Sequence, residues 1–172
     1  MIDMIREANE NDYGRIDEMQ FGLQKYFSEI DQSSESLPYR SINGAHRYMQ
    51  KMMGDVKNMN GKVFVAEEKG VIVGFIQGVI IEHKKGDDKI YDLSHNPSKE
   101  GWIGLLYVEP SHRKLGIGQR LLEKMKDYFV DQECTSVRLL VLSDNTNAVD
   151  FYKKSGFIPH DLEMMMKIKV QS

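Results

Sequence analysis

Apolar positions along this chain alternate between two periods, one near 3.6 residues and one near 2, and the changes of period divide it into elements. Met1–Arg6 is a short apolar run that fits a first strand. Asn11 or Asp12 can then cap a helix whose face carries Ile16, Met19, Phe21, Leu23 and Phe27. Residues 31–44 are polar and rich in turn formers, so they read as a loop. A second helix follows, with Ala45, Tyr48, Met49, Met52, Met53 and Val56 near helical spacing. Lys62–Glu68 and Val71–Glu82 read as strands of a hairpin closed by Lys69-Gly70. Lys84–Glu100 is charged and reads as an exposed excursion. Trp102–Val108 is a strand leading into a Gly-rich corner. The helix after the corner repeats Ile117, Leu121, Met125 and Phe129, with Leu122 beside them. Ser136–Leu142 is an apolar strand, and Asp144 or Asn145 starts a helix with Ala148, Phe151, Tyr152 and Ser155 on one face. Gly156 fits a left-handed cap for it. Phe157–Pro159 and Leu162–Val170 look like closing strands. Helices interleaved with adjacent hairpin strands predict an α/β domain with a mixed sheet.

Composition narrows the function classes. The 172 residues suffice for one domain with a substantial core, and neither a repeat nor an interdomain linker interrupts them. A net charge of −3 argues against nucleic acid as the main partner, while leaving room for a local basic pocket that takes a small phosphorylated ligand. A single cysteine, Cys134, cannot form an internal disulfide, which fits a reducing cytoplasm and a structural thiol between helix and strand. The first residues lack the apolar core of a signal peptide, and VIVGFIQGVII is too short to span a bilayer, so no membrane role is expected.

The chemistry concentrates in LLYVEPSHRKLGIGQRLLEKMKDYF, residues 105–129. Here Arg113-Lys114-Leu115-Gly116-Ile117-Gly118 forms a corner at a helix start. Orphan N–H groups and the helix dipole both favour an anion at such a place. Arg113 and Lys114 add fixed positive charge beside it. A dinucleotide-binding turn fits poorly, because Leu121 stands where its third glycine belongs. A P-loop fits poorly too, since no Gly-Lys-Ser/Thr closes the turn.

The chain resembles a GCN5-related N-acetyltransferase. The family's acyl-CoA signature, Arg/Gln-x-x-Gly-x-Gly/Ala, is matched in full by Arg113–Gly118, and Leu106–Pro110 matches the strand and turn before it. A second signature, Asn-x-x-Ala-x-x-Phe/Leu-Tyr, is matched by Asn145–Tyr152, and the Lys-x-x-Gly-Phe that follows by Lys153–Phe157. The sharp similarity covers roughly the C-terminal half. The resemblance implies a mixed, mostly antiparallel central sheet flanked by helices on both faces. It also implies acetyl-CoA as co-substrate, no metal, and a small-molecule amine or peptide N-terminus as acceptor; a homodimer is compatible with it.

The resemblance further implies a role for each matching residue. Backbone N–H groups of Arg113, Lys114, Leu115, Gly116, Ile117 and Gly118 would hold the pyrophosphate of coenzyme A, with Gln119 adding one more. Leu106 and Val108 would pair their main chains with the pantetheine arm, and the Leu106 N–H would polarise the thioester carbonyl. Asn145 would bond the pantetheine, besides serving as a helix cap. Tyr152 would protonate the leaving thiolate. The general base is the open point. By counting back, the glutamate that some family members use falls on Trp102 here. Glu100, two residues earlier on the same face, could serve directly or through a water, although a solvated loop carboxylate explains it as well. Glu67, Glu82, His83, His95 and His112 are weaker candidates, and a water chain would need none of them. A non-catalytic acyl-CoA-binding or sensing module is the rival reading. The acceptor region is expected near residues 24–50, where Glu29, Asp31 and Glu35 could attract a cation.

Overall fold

The computed structural model describes residues 2–31, 33, 42–83 and 98–166, without the side chains of Ile42, Asn43 and Ala45. The chain divides into two compact units, Met1–Leu140 and Val141–Ser172.

The first unit is a five-stranded sheet in the order β1-β2-β3-β4-β5. The strands are β1 (Met4–Glu7), β2 (Lys62–Glu68), β3 (Val71–His83), β4 (Ser98–Val108) and β5 (Ser136–Leu139). The first four pair antiparallel, and β5 joins β4 in parallel. The β2–β3 turn is the two-residue one expected. Lys69 and Gly70 both take positive φ, 50° and 75°, as a twisted hairpin requires.

Helices α1 (Tyr13–Ile30) and α2 (Ile42–Asn58) cover one face, so α2 begins inside the segment read as loop. Asp12 holds the N-cap position of α1, as expected, but its side chain makes no cap hydrogen bond to that helix; a 3₁₀ turn, Glu10–Asp12, capped by Asn9, leads into it. The Asn9 side chain accepts from the Asn11 N–H, while Asp12 accepts from the Asn9 N–H and pairs with Arg6 through both carboxylate oxygens. Ile16, Met19 and Leu23 of α1 and Met49, Met52 and Val56 of α2 bury their side chains with Val63, Val65, Phe75, Val79, Leu105 and Tyr107 of the sheet.

The opposite face carries α3 (Ile117–Asp131), whose predicted stripe of Ile117, Leu121, Leu122, Met125 and Phe129 is buried. Here Gly74, Gly78 and Gly101 give a floor without side chains. A Cβ on Gly101 would lie 2.5 Å from Phe129 Cδ2, and one on Gly78 would lie 2.7 Å from Phe129 Cζ. Cys134 lies between α3 and β5, and burial raises its thiol pKa.

Two strand expectations are corrected. β5 stops at Leu139, not Leu142, because its last partner is Ile103 and the next β4 residue, Gly104, is a bulge that breaks the ladder. Phe157–Pro159 is not a strand. It follows the cap directly, and Pro159 cannot donate to a ladder. None of residues 157–166 is in a strand, and Ile158, Leu162 and Met164 are exposed; the rest of Leu162–Val170 lies outside the described residues. In this second unit α4 (Thr146–Lys154) is capped by Asn145, whose side chain accepts from the Ala148 N–H at 3.3 Å. Gly156, at φ 93°, ends it as expected, with the Phe157 N–H donating to Tyr152 O at 3.0 Å.

Candidate active site

β4 carries the central geometry. Its register against β3 shifts between Gly78↔Ile103 and Gln77↔Leu105, which leaves Gly104 as the extra residue of a bulge. Beyond the bulge, the Glu109 N–H donates to Val73 O at 2.9 Å. Antiparallel ladders alternate, so Tyr107 and Leu105 also turn toward β3, while Leu106 and Val108 turn their N–H and C=O groups away from it. β5 pairs only with Glu100–Ile103. Among the described residues, no strand pairs with the other edge of β4 from Gly104 to Val108. Leu106 and Val108 therefore present main-chain groups along an edge that an extended ligand could extend.

The corner follows at once. A single 3₁₀ turn, Pro110–His112, leads to Arg113, and the chain then twists through positive φ at Lys114 (63°) and Gly116 (78°) before α3 begins. The first N–H closed inside this helix is that of Arg120, onto Gly116 O at 3.1 Å. The N–H groups of Ile117 and Gly118 thus lack an acceptor within the helix, in the same turn as Gln119. Arg113, Lys114, Leu115 and Gly116 are exposed, and nothing lies within 4 Å of where a Gly116 Cβ would stand. The Arg113 Nε donates to Val108 O at 3.0 Å, and its guanidinium lies over the rings of Tyr26 (5.7 Å) and Tyr107 (5.8 Å). Tyr107 in turn donates to Glu109, which pairs with Arg15 of α1. The cation is held over the strand end by aromatic faces, so the corner can receive a phosphate without first ordering that side chain.

A cavity of about 280 Å³ opens between α2 and the β3–β4 pair. Met52, Met59, Val79 and Trp102 make its apolar walls, and Gly104 and Gln77 mark the bulge end. Neither Gln77 nor Gly104 was singled out from the sequence. A lone Gln in an apolar strand is the only local signal for the first, and the bulge depends on pairing across strands.

In the second unit Asn145 is buried and Tyr152 is partly so. Tyr152 packs edge-on against Phe157, with ring centres 5.6 Å apart. Burial pushes its phenol up to about 12, which keeps the proton on the oxygen across ordinary pH.

The base candidates separate. Glu100 is not part of an exposed loop. It lies in β4, 8% exposed, with Arg138 Nε at 2.8 Å and Ser136 Oγ donating to it at 3.3 Å. It shares the Trp102 face of the sheet but does not line the cavity. His112 is engaged by Glu68 and Ser111, and Glu67 by Arg6. His95 and Glu35 lie outside the described residues. Asp31 accepts from the Ser33 N–H, and Glu29 is exposed.

A mixed sheet with an open bulged edge and a Gly-rich helix start beside it defines an α/β fold suited to a ligand that joins an extended arm to a phosphate. The model of the acetyltransferase (GNAT) family matches residues 24–157. A thialysine N-epsilon-acetyltransferase from Bos taurus is 30% identical over 159 residues, covering 89% of this chain and 82% of that one. An N-alpha-acetyltransferase 60 from Xenopus tropicalis is 33% identical over 94 residues, covering 53% of this chain and 39% of that one. The structure of an aminoglycoside N-acetyltransferase in complex with CoA superposes with a TM-score of 0.67 at 15% identity, covering 99% and 96% of the two chains. This chain belongs to the acetyltransferase (GNAT) family, whose activity is acetyl-CoA-dependent N-acetyl transfer.

Proposed function

We propose that this enzyme transfers the acetyl group of acetyl-CoA to the primary amine of a small-molecule acceptor by direct attack. The observation that carries this reading is the cavity between α2 and the β3–β4 pair, which reaches the bulge residue Gly104, where the open stretch of β4 begins. Its volume of about 280 Å³ suits a small molecule better than a peptide terminus. The matched relatives include one named for thialysine and one named for N-alpha acetylation, so the family accommodates either kind of acceptor.

In this reading the pyrophosphate sits on the N–H groups of Arg113–Gly118 and Gln119. The pantetheine arm extends β4 along Leu106 and Val108; for Asn145 the pantetheine bond is what the Asn145–Tyr152 signature implies. The neutral amine attacks the thioester carbon, and the Leu106 N–H stabilises the charge that develops on its oxygen. As the C–S bond breaks, Tyr152 gives its proton to the sulfur; the high phenol pKa supports a donor that is protonated when needed. The amine's proton leaves through Glu100, directly or by way of water, or through a water chain alone. The Arg138 contact favours the water chain, because it already engages the Glu100 carboxylate.

A thiol-release assay over a panel of small amines and peptide N-termini tests this. Amine-dependent release of CoA thiol, with acetylated amine found by mass spectrometry, is the expected result. Acetyl-CoA binding without release for any acceptor would instead mark a sensing module.

A further inference from the structure

The side chain of Arg113 turns back from the Gly-rich corner onto the strand before it. Its Nε donates to Val108 O at 3.0 Å, five residues earlier. That bond spans the join between two surfaces: the outward main chain of Leu106 and Val108, and the N–H groups at the start of α3. The backbone between them makes a single 3₁₀ turn and then takes positive φ at Lys114 and Gly116. Its own hydrogen bonds are local, His112 N–H to Glu109 O and Arg113 N–H to Pro110 O. His112 ties the turn to Glu68 of β2, and Arg113 ties the corner to β4. A long exposed side chain loses rotamer freedom when it holds one bond, so such a tie is weak unless something else orders it. Here two rings do. The guanidinium carbon lies 5.7 Å from the Tyr26 ring centre and 5.8 Å from that of Tyr107, within reach of cation–π attraction. Tyr107 is itself held. It is buried, its hydroxyl donates to Glu109, and Glu109 pairs with Arg15 of α1, whose Nε donates to Ile72 O. A Cβ on Gly22 of α1 would stand 3.5 Å from that hydroxyl, so helix and ring pack closely.

We infer that Arg113 is a positioning residue: clamped between Tyr26 of α1 and Tyr107 of β4, its side chain fixes the span from the strand edge to the corner, so that one ligand meets both at once. The inference rests on the acetyl-CoA placement proposed above, with the pantetheine arm along Leu106 and Val108 and the pyrophosphate on the corner N–H groups. A ligand held at two linked places gains affinity from the linkage only where its length matches the span. The Arg113 side chain therefore acts on the joining of the two halves, through main-chain geometry, and not on either half alone. It also makes co-substrate affinity depend on Tyr26, a residue of α1 that belongs to neither surface.

The probes are CoA and, standing for its two halves, ADP and pantetheine, with affinities read by calorimetry and ligand-observed NMR on the whole chain. Tyr26→Leu removes one ring and keeps the Arg113 charge. It should weaken CoA about 3- to 10-fold, the weight of one cation–π contact, and leave ADP and pantetheine within about twofold of the parent. The KM for acetyl-CoA should rise by the factor by which CoA weakens, with kcat unchanged. Tyr26→Phe, which keeps the ring face, should match the parent. Arg113→Ala should weaken CoA more than ADP, and Arg113→Gln, which keeps an N–H for Val108 O but no charge, should recover part of that loss. ADP weakening in step with CoA in Tyr26→Leu would overturn the inference, because the ring would then act on the phosphate site itself. So would parent CoA affinity in folded Arg113→Ala, or an Arg113→Gln no better than Arg113→Ala. Arg113 is exposed, so its two variants decide the matter where Tyr26→Leu fails to fold. Failure of CoA to bind the parent protein would instead sink the reading beneath it.

Discussion

Replacing Leu106 with proline tests the oxyanion role of β4 at a single atom. The Glu109–Val73 hydrogen bond sets the phase of the β3–β4 ladder, and that phase turns the Leu106 N–H toward the open edge. Proline there removes this N–H without removing a ladder bond to β3, the one circumstance in which a strand tolerates it. Leu105, before it, is already extended, as a residue preceding proline must be. The Leu106 side chain is partly buried, so its truncation costs stability as well. Leu106→Val serves as the control, because it shortens the side chain and keeps the N–H. Loss of one oxyanion donor lowers turnover by about 10²–10³-fold, or about 2.7–4 kcal/mol in the barrier. Steady-state thiol release with the best amine of a panel would measure it, with folding followed by circular dichroism. Turnover of a folded Leu106→Pro within about threefold of Leu106→Val would refute the assignment, since a lost oxyanion donor demands far more.

Five further outcomes are expected. Gly118→Val should abolish acetyl-CoA binding in calorimetry while the protein stays folded, because a branched side chain blocks approach to the α3 N–H groups. Tyr152→Phe should lower the single-turnover rate by about 10²-fold or more with little change in acetyl-CoA affinity; equal rates would leave Tyr152 a packing residue. Because the Tyr152 phenol is raised from 10 to about 12, the folded state holds that proton longer than the unfolded one. Its share of stability is therefore full below pH 10 and is lost as pH rises from 10 toward about 12, so alkaline unfolding of Tyr152→Phe should begin at higher pH than that of the parent. Gly101→Ala should cost about 1–3 kcal/mol in urea melts by overpacking the buried Phe129 ring. In addition, Glu100→Gln should give a pH–rate profile superimposable on the parent's if water carries the proton, and a shifted or flattened alkaline limb if Glu100 does.

What could be read from the sequence was what is locally encoded. The Lys69-Gly70 turn, the cap at Gly156, the α3 stripe and the Gly-rich corner each follow from neighbours in the chain. The features that escaped depend on partners far away. β5 ends where it does because of a bulge on another strand, and the bulge residue, Gly104, leaves room for the Gln77 side chain of β3. Glu100 looks like the end of a charged loop until Arg138, 38 positions later, is placed beside it. The apolar run after Gly156 suggested strands, but a run alone supplies no ladder partner.

The open stretch of β4 also bears on how the protein keeps in solution. Among the described residues no strand covers this edge from Gly104 to Val108, where the main chain of Leu106 and the Val108 N–H turn outward, the template on which chains stick to one another. A co-substrate that lies along this edge would act as a detachable sixth strand. Preparations saturated with acetyl-CoA should then resist precipitation on concentration and warming, and stripped protein should be the form that aggregates.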